Sequence, residues 1–497
     1  MRALLPLLIL AGAAAAAAYT FHAESYTLFV IALTALNVIV MVGLNILFGL
    51  AGQVSLCHVG FYAIGAYVCG ILSLQGVDFF LALPAAILFS GAVGALLALP
   101  ALRVSGPYLA MVTIAFAFIV EHALIEWRDV TGGANGLMGI LPPTIGDLSF
   151  SEREMALLAV GLAALSLLGF WALSKSRLGS ALRAVRDSEV ASQSVGLNPV
   201  SLKTLAFALS AALAGMAGAV YAPLLMFISP GSFPFSQSIL FLFGVVVGGA
   251  GTVLGPVLGA LVVVGLPEML SDFAEYRLLV FGVLLLVVLW MAPEGMVGLL
   301  ARLRRHDPRP ARAGGADMAA LLRPDDAAPL KVEQIGISFG GVKAASGVSF
   351  TAQPGAVTSV IGPNGAGKTT VLNMIGGFYT PDAGAIRLGE GENLAGAPAY
   401  KVARAGIART YQTTQLFGSL SVIENVRIAG ADAAAAEALL AFVGYQGPLA
   451  ARADDLPHVD RRLVEIARAL ATQPRVLLLD EPAAGLMRAD KDTLSLL

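Results

Sequence analysis

Charge is scarce in this sequence. Lys, Arg, Asp and Glu make up 13% of its residues, about half the share of an average soluble domain, while 57% are hydrophobic. Most of the chain therefore belongs in a membrane. The net charge is −2, and no basic patch with interleaved aromatics occurs outside one linker, which excludes a nucleic-acid partner. Cysteine is nearly missing. Cys57 and Cys69 both lie in apolar sequence without a metal-type C-x-x-C spacing, and they read as small core residues rather than as a disulfide or redox pair. The five histidines are scattered, so no ligand set for a metal cluster can be assembled from them.

What is abundant is long hydrophobic runs. At 497 residues the chain has room for two or three domains. Up to about Leu300, apolar stretches are broken mainly by Gly, Pro and a few charges, as in spanning helices. Ten are expected, at 3–20, 28–50, 56–74, 80–99, 107–125, 155–174, 203–227, 238–250, 253–270 and 277–292. The run from Arg2 to Ala18 resembles a signal peptide, but another apolar segment follows almost at once, so a retained first span is favoured. The segment 238–250 is short for a bilayer, and Gly244–Gly259 is rich enough in glycine to be a broken or re-entrant helix; eight or nine spans would follow in that case. Lys175, Arg177, Arg183, Arg186 and Lys203 crowd one connection, and Arg302, Arg304, Arg305, Arg309 and Arg312 follow the last span. The positive-inside rule puts both in the cytoplasm. The acidic connection 126–154 then lies outside.

Between 301 and 329 the composition shifts to Arg, Pro, Ala, Gly and Asp without an apolar period, which reads as a flexible cytoplasmic linker. A soluble α/β domain is expected over 330–497. Its short β-branched runs at 331–339, 346–351 and 357–361 lead into Gly362-Pro363-Asn364-Gly365-Ala366-Gly367-Lys368-Thr369-Thr370. That stretch fits G-x-x-x-x-G-K-[ST], a phosphate loop, and the apolar run Val371 to Ile375 continues it as a helix. Its glycines allow backbone N–H groups to turn inward around phosphates, Lys368 adds positive charge, and the Thr369 hydroxyl can ligate Mg²⁺. ATP and Mg²⁺ are the expected cofactors, with Gly362, Asn364, Gly365, Gly367, Lys368, Thr369 and Thr370 binding nucleotide. Downstream, Val476 to Leu479 is an apolar strand that ends in Asp480 and Glu481. Asp480 is expected to hold the metal through water and Glu481 to orient the attacking water.

Taken together, Gly362–Thr370, Arg409-Thr410-Tyr411-Gln412, Asp454–Leu470 and Leu477–Leu486 resemble the ATPase of ABC transporters, in detail the LivG-type subunit of branched-chain amino acid importers. The resemblance implies that Phe339 stacks on the adenine, and that Gln412 touches both Mg²⁺ and the membrane subunit. The membrane half resembles the LivM-type permease of the same importers through Gly49–His58 with Ala63–Tyr67, Arg103–Thr113, Thr131–Leu137, Leu178–Gly196, and Ala211–Ala219 with Gly248–Gly259. By this resemblance the basic loop carrying Glu189, Ala191 and Gly196 is the coupling segment that docks on an ATPase. Asn37, Asn45, Gln53, Ser55 and His58, polar residues within the spans, either line a substrate path or bond helix to helix.

Two departures stand out. The signature L-S-Y/G-G-Q is replaced by Leu456-Pro457-His458-Val459-Asp460, losing the serine hydroxyl and glycine amide expected to grip a γ-phosphate on the opposite ATPase; proline also removes a backbone donor. Met487 stands where the family has a polar residue that helps the two ATPases communicate. The switch histidine of such ATPases falls beyond Leu497, so a truncated frame, gene decay or adaptation is expected. The reading is an all-α polytopic membrane domain of about ten helices over 1–300, followed by a P-loop ABC ATPase domain: a fused permease–ATPase of the inner membrane that imports leucine, isoleucine and valine, or other amino acids, urea and short amides. Its expected partners are a second permease, a second ATPase, an extracytoplasmic binding protein and membrane lipid. The alternative is a nucleotide-binding but hydrolysis-deficient subunit. An exporter is disfavoured, because the permease resemblance is to importers.

Overall fold

The computed structural model describes residues 4–104, 106–146, 148–269, 276–292, 295–302 and 327–481. It divides into two compact units, Met1–Leu182 with Val200–Arg305, and Arg183–Pro199 with His306–Leu497. Of the linker expected over 301–329, residues 303–326 lie outside the described residues, as do the positions from Pro482 onward including Leu486 and Met487, and Ala301 and Arg302 end a helix instead.

The first unit is helical. Its apolar helices are Leu4–Tyr19, Ser25–Leu44 continued by a wider turn over Asn45–Leu50, His58–Leu74, Phe79–Ala101, Pro107–Glu126, Glu152–Lys175, Pro199–Leu225, Phe235–Gly248, Gly255–Met269 and Arg277–Met291. Each overlaps one of the ten expected stretches. Among the described residues six stretches are long and apolar enough to cross a membrane, by length and composition: Ser25–Leu50, Phe79–Ala101, Pro107–Glu126, Glu152–Lys175, Pro199–Leu225 and Pro230–Gly248. The local starts have identifiable causes. Asp78 caps Phe79–Ala101 by accepting from the Phe80 N–H at 2.8 Å, and Ser151 with Glu154 forms a capping box at the head of Glu152–Lys175.

The glycine-rich stretch 244–259 is a helical hairpin. Phe235–Gly248 and Gly255–Met269 run back on each other so closely that a Cβ on Gly259 would stand 2.1 Å from the Gly244 carbonyl oxygen, and one on Gly248 2.0 Å from that of Gly255. Only glycine lets the two backbones meet there. Asn45 closes the turn between the helices: its Nδ2 donates to Thr252 O at 2.8 Å, and its Oδ1 accepts from the Gly251 N–H at 2.6 Å.

In the second unit Leu330–Phe339 is the middle strand of an antiparallel sheet, with Val342–Ala352 on one side and Ala383–Leu388 on the other. A separate parallel ladder pairs Ile407–Arg409 with Val476–Leu478. Helices Val422–Arg427, Ala433–Phe442 and His458–Leu470 close around Val426, Leu439, Leu440, Val464 and Ala467. One expectation fails: Val357 to Ile361 is not a strand, and Val357 and Ile361 are 96% and 92% exposed. A central strand is held by ladder bonds, not by its β-branched side chains alone. Here Val357 to Val360 and Val476 to Glu481 both line a cleft of about 590 Å³, and no ladder pairs them among the described residues.

Candidate functional site

The phosphate loop is built as its composition requires. Gly365 and Gly367 take φ of +85° and +87°, a region open to glycine, and the helix Lys368–Ile375 starts immediately after them. Lys368 folds back, its Nζ donating to Gly362 O at 2.8 Å and Pro363 O at 3.0 Å. Asn364 lies in the turn of the loop, and Thr369 and Thr370 in the first turn of the helix.

Two pairs that are distant in sequence meet beside it. The Thr369 hydroxyl lies 3.4 Å from Asp480 Oδ1, an oxygen set of the kind Mg²⁺ prefers. The Gln412 amide donates to Glu481 Oε2 at 3.3 Å. Asp480 is buried and its other oxygen accepts from Arg409 Nη2 at 3.1 Å, while Arg409 also donates to Asn373. Glu481 holds a left-handed backbone, φ +45°, unusual for a residue with a side chain and typical of functional sites. Phe339 ends its strand against Tyr379, ring centroids 5.2 Å apart.

The segment 183–199 packs on the nucleotide-binding part of the same unit. Asp187 Oδ2 accepts from the Ser419 N–H at 2.8 Å and its hydroxyl at 2.6 Å. Ser188 Oγ donates to Gln415 Oε1 at 3.1 Å, Tyr411 OH to Val190 O at 3.1 Å, and Arg404 Nε to Gly196 O at 2.9 Å. Ala184 and Ala191 are buried with Phe417 and Leu420. Burial pushes the Tyr411 phenol above its ordinary pKa.

The family model for the branched-chain amino acid transport system permease component matches residues 26–289, over half of the chain. The chain belongs to that family. The ABC transporter model matches residues 345–484, so one polypeptide joins a permease of this family to an ABC-type ATPase. The high-affinity branched-chain amino acid transport system permease protein LivM of Escherichia coli K12 is 37% identical over 307 residues, covering 57% of this chain and 72% of its own length. The corresponding ATP-binding protein LivG of the same organism is 39% identical over 180 residues, 32% of this chain and 70% of LivG. BraF of Pseudomonas aeruginosa, also an ATP-binding protein of high-affinity branched-chain amino acid transport, is 36% identical over 193 residues, 34% and 74%. A solved ATP-binding cassette of an ABC transporter in its ADP conformation has 31% identity and a TM-score of 0.31, covering 34% of this chain and 76% of that one.

Within the permease the five polar residues all make hydrogen bonds, of which those of His58 and Asn45 reach another part of the chain. His58 Nε2 and Ser210 Oγ are 2.6 Å apart, bridging two helices, while Nδ1 faces Ser55 Oγ at 3.3 Å. Asn45 holds the hairpin turn, and Asn37 Nδ2 and Gln53 Nε2 donate to the carbonyls of Leu33 and Ala51. In the ATPase, sequence reasoning assigned no role to Arg409, Arg462, Glu465 or Arg468. All four are buried.

Proposed function

We propose that this chain uses ATP to drive uptake of branched-chain amino acids, or of related small polar solutes, across the cytoplasmic membrane. The observation that carries the reading is the meeting of Thr369 with Asp480 and of Gln412 with Glu481 beside the phosphate loop. ATP with Mg²⁺ supplies a transferable γ-phosphoryl group when bound. The N–H groups around Gly365 and Gly367 and the first turn of Lys368–Ile375 cradle the phosphates, and Lys368 exchanges its two carbonyl partners for phosphate oxygens. Thr369 and Asp480 would hold the metal, with Arg409 fixing the Asp480 carboxylate, Glu481 would orient the attacking water, and Phe339 would offer its ring to the adenine. Gln412 senses the metal. Its neighbours Tyr411 and Gln415 bond the 183–199 segment, so a change at Gln412 has a short covalent route to the loop joining the permease helices Glu152–Lys175 and Pro199–Leu225. Binding and loss of the γ-phosphate then shift the permease between inward- and outward-facing states.

A second permease, a second ATPase and an extracytoplasmic binding protein complete the assembly, since one chain supplies one of each half. The 183–199 segment and the ATPase sit on the cytoplasmic side of the inner membrane, which the loop charges support.

A nucleotide-binding subunit deficient in hydrolysis is the second reading. It is favoured by Pro457 at the head of His458–Leu470, where no side chain caps the helix. Steady-state ATPase of the assembled complex decides between them. Glu481→Gln is expected to lower turnover at least tenfold with nucleotide binding retained; unchanged turnover assigns hydrolysis to the other ATPase and supports the second reading.

A further inference from the structure

The helix His458–Leu470 begins with a degenerate signature, yet its inward face carries three buried charged side chains. Arg462, Glu465 and Arg468 are 1%, 0% and 1% exposed. All three turn to the segment 411–415. Arg462 donates through Nη1 to Tyr411 O and through Nη2 to Gln412 O at 2.9 Å, spanning two consecutive carbonyls as only the guanidinium fork can. Arg468 Nη2 donates to Gln415 O, and its guanidinium lies 4.7 Å over the Phe417 ring. Glu465 joins the two sides: one oxygen accepts from Arg462 at 2.8 Å and the other from the Gln415 N–H at 2.9 Å. These charge-assisted bonds are about twice as strong as neutral ones.

Arg409 Nε, Thr410 Oγ1, Thr414 Oγ1, Arg462 Nε and Arg468 Nη1 are buried around the same loop with no protein hydrogen-bond partner.

We infer that the Arg462–Glu465–Arg468 triad is a handle that positions Gln412 for the metal, so that this helix still controls the ATP site of its own chain although its phosphate-facing signature has been lost. Arg462 acts through Gln412 and is a positioning residue. The inference rests on the ATP-site reading above.

The test uses the full chain in detergent and reads binding, so that it does not depend on turnover. Affinity for a fluorescent ATP analogue is measured in EDTA and across a Mg²⁺ titration for the parent, Arg462→Lys and Leu463→Ala. Leu463 lies on the same helix and in the apolar core, 6% exposed, without a side-chain bond to the loop. Lysine keeps the charge but loses one of the two carbonyls. The expected result is that Arg462→Lys needs roughly tenfold more Mg²⁺ for half-maximal tight binding, with affinity in EDTA unchanged, while Leu463→Ala lowers thermal stability and leaves the Mg²⁺ requirement alone. An unchanged requirement in Arg462→Lys, or equal shifts in both variants, overturns the handle. A parent that does not bind nucleotide overturns the ATP-site reading instead, and the handle with it.

Discussion

Gly259→Ala adds one methyl group where the backbones of Phe235–Gly248 and Gly255–Met269 touch. The new Cβ would stand 2.1 Å from Gly244 O, 2.5 Å from its carbonyl carbon and 3.0 Å from its Cα, whereas ordinary contact begins at 3.4 Å. Every close atom is main chain, so no side chain can swing aside, and the helices must part by about 1.3 Å. A radial gap of 0.5–1 Å already forfeits a quarter to a half of each dispersion contact along the seam. The cost is therefore that of overpacking, about 1–3 kcal/mol, or a melting shift of roughly 2–12 °C at about 2–4 °C per kcal/mol. Gly265, on the same helix, is the control: nothing lies within 4 Å of its Cβ position, and Gly265→Ala should gain roughly 0.5–1 kcal/mol of helix preference. The chain contains its own reporter for this measurement. Cys57 and Cys69 are its only cysteines, both in the first unit and 0% and 1% exposed. A thiol-reactive dye that fluoresces on labelling therefore follows unfolding of the permease unit alone while the ATPase stays silent. Equal midpoints for Gly259→Ala and Gly265→Ala would refute the close crossing.

Three further outcomes are expected. Gly367→Ala combines φ of +87° with a Cβ 2.3 Å from Ala344 O, and should weaken nucleotide binding at least tenfold, as read by fluorescent nucleotide titration; parental affinity would show that the loop does not need this conformation. Asp187→Asn keeps the shape of the side chain but makes its two bonds from Ser419 neutral, a loss of about 1 kcal/mol; substrate uptake in vesicles should fall about fivefold with ATPase in detergent little changed, and a parallel fall in both would argue against a coupling role. Burial raises the Asp460 carboxyl above its ordinary pKa. Its contribution to stability is complete below the unfolded value and lost as pH rises through the folded one, so Asp460→Asn should slow hydrogen exchange in His458–Leu470 at pH 7, and not at pH 3.5, after correction for intrinsic rates.

Why some of this could be read from residues alone, and some not, follows from the range of the interactions involved. Each apolar helix announces itself over some twenty neighbouring residues, and the phosphate loop within nine, because in both cases the determining interactions are local: backbone bonds four residues apart, and a tight turn that needs glycine. The hairpin at 244–259 was ambiguous for a physical reason. Its glycines signal a close approach but not the partner, and the partner is another part of the same stretch, completed by Asn45 about two hundred positions upstream. The strand expected at 357–361 failed in the opposite way: β-branched composition reports a preference, while the ladder that satisfies the preference is a property of distant segments.

The buried charges make the sharper case. Arg462, Glu465 and Arg468 alternate in sign along one helix, which in isolation describes a solvated face laced with ion pairs. What turns that face inward is the set of bare carbonyls at Tyr411, Gln412 and Gln415, and nothing near position 412 in the sequence says that these carbonyls lack other partners. Burying three charges to grip three carbonyls and one amide is poor economy for stability, since a well-packed apolar face would serve as well or better. The arrangement is intelligible only if the location of that loop, rather than the cohesion of the fold, is what the charges secure. The same helix opens on Pro457, His458, Val459 and Asp460. The buried triad and this opening turn are separate parts of one helix, and variants in the triad are predicted to change metal dependence where variants in the opening turn do not.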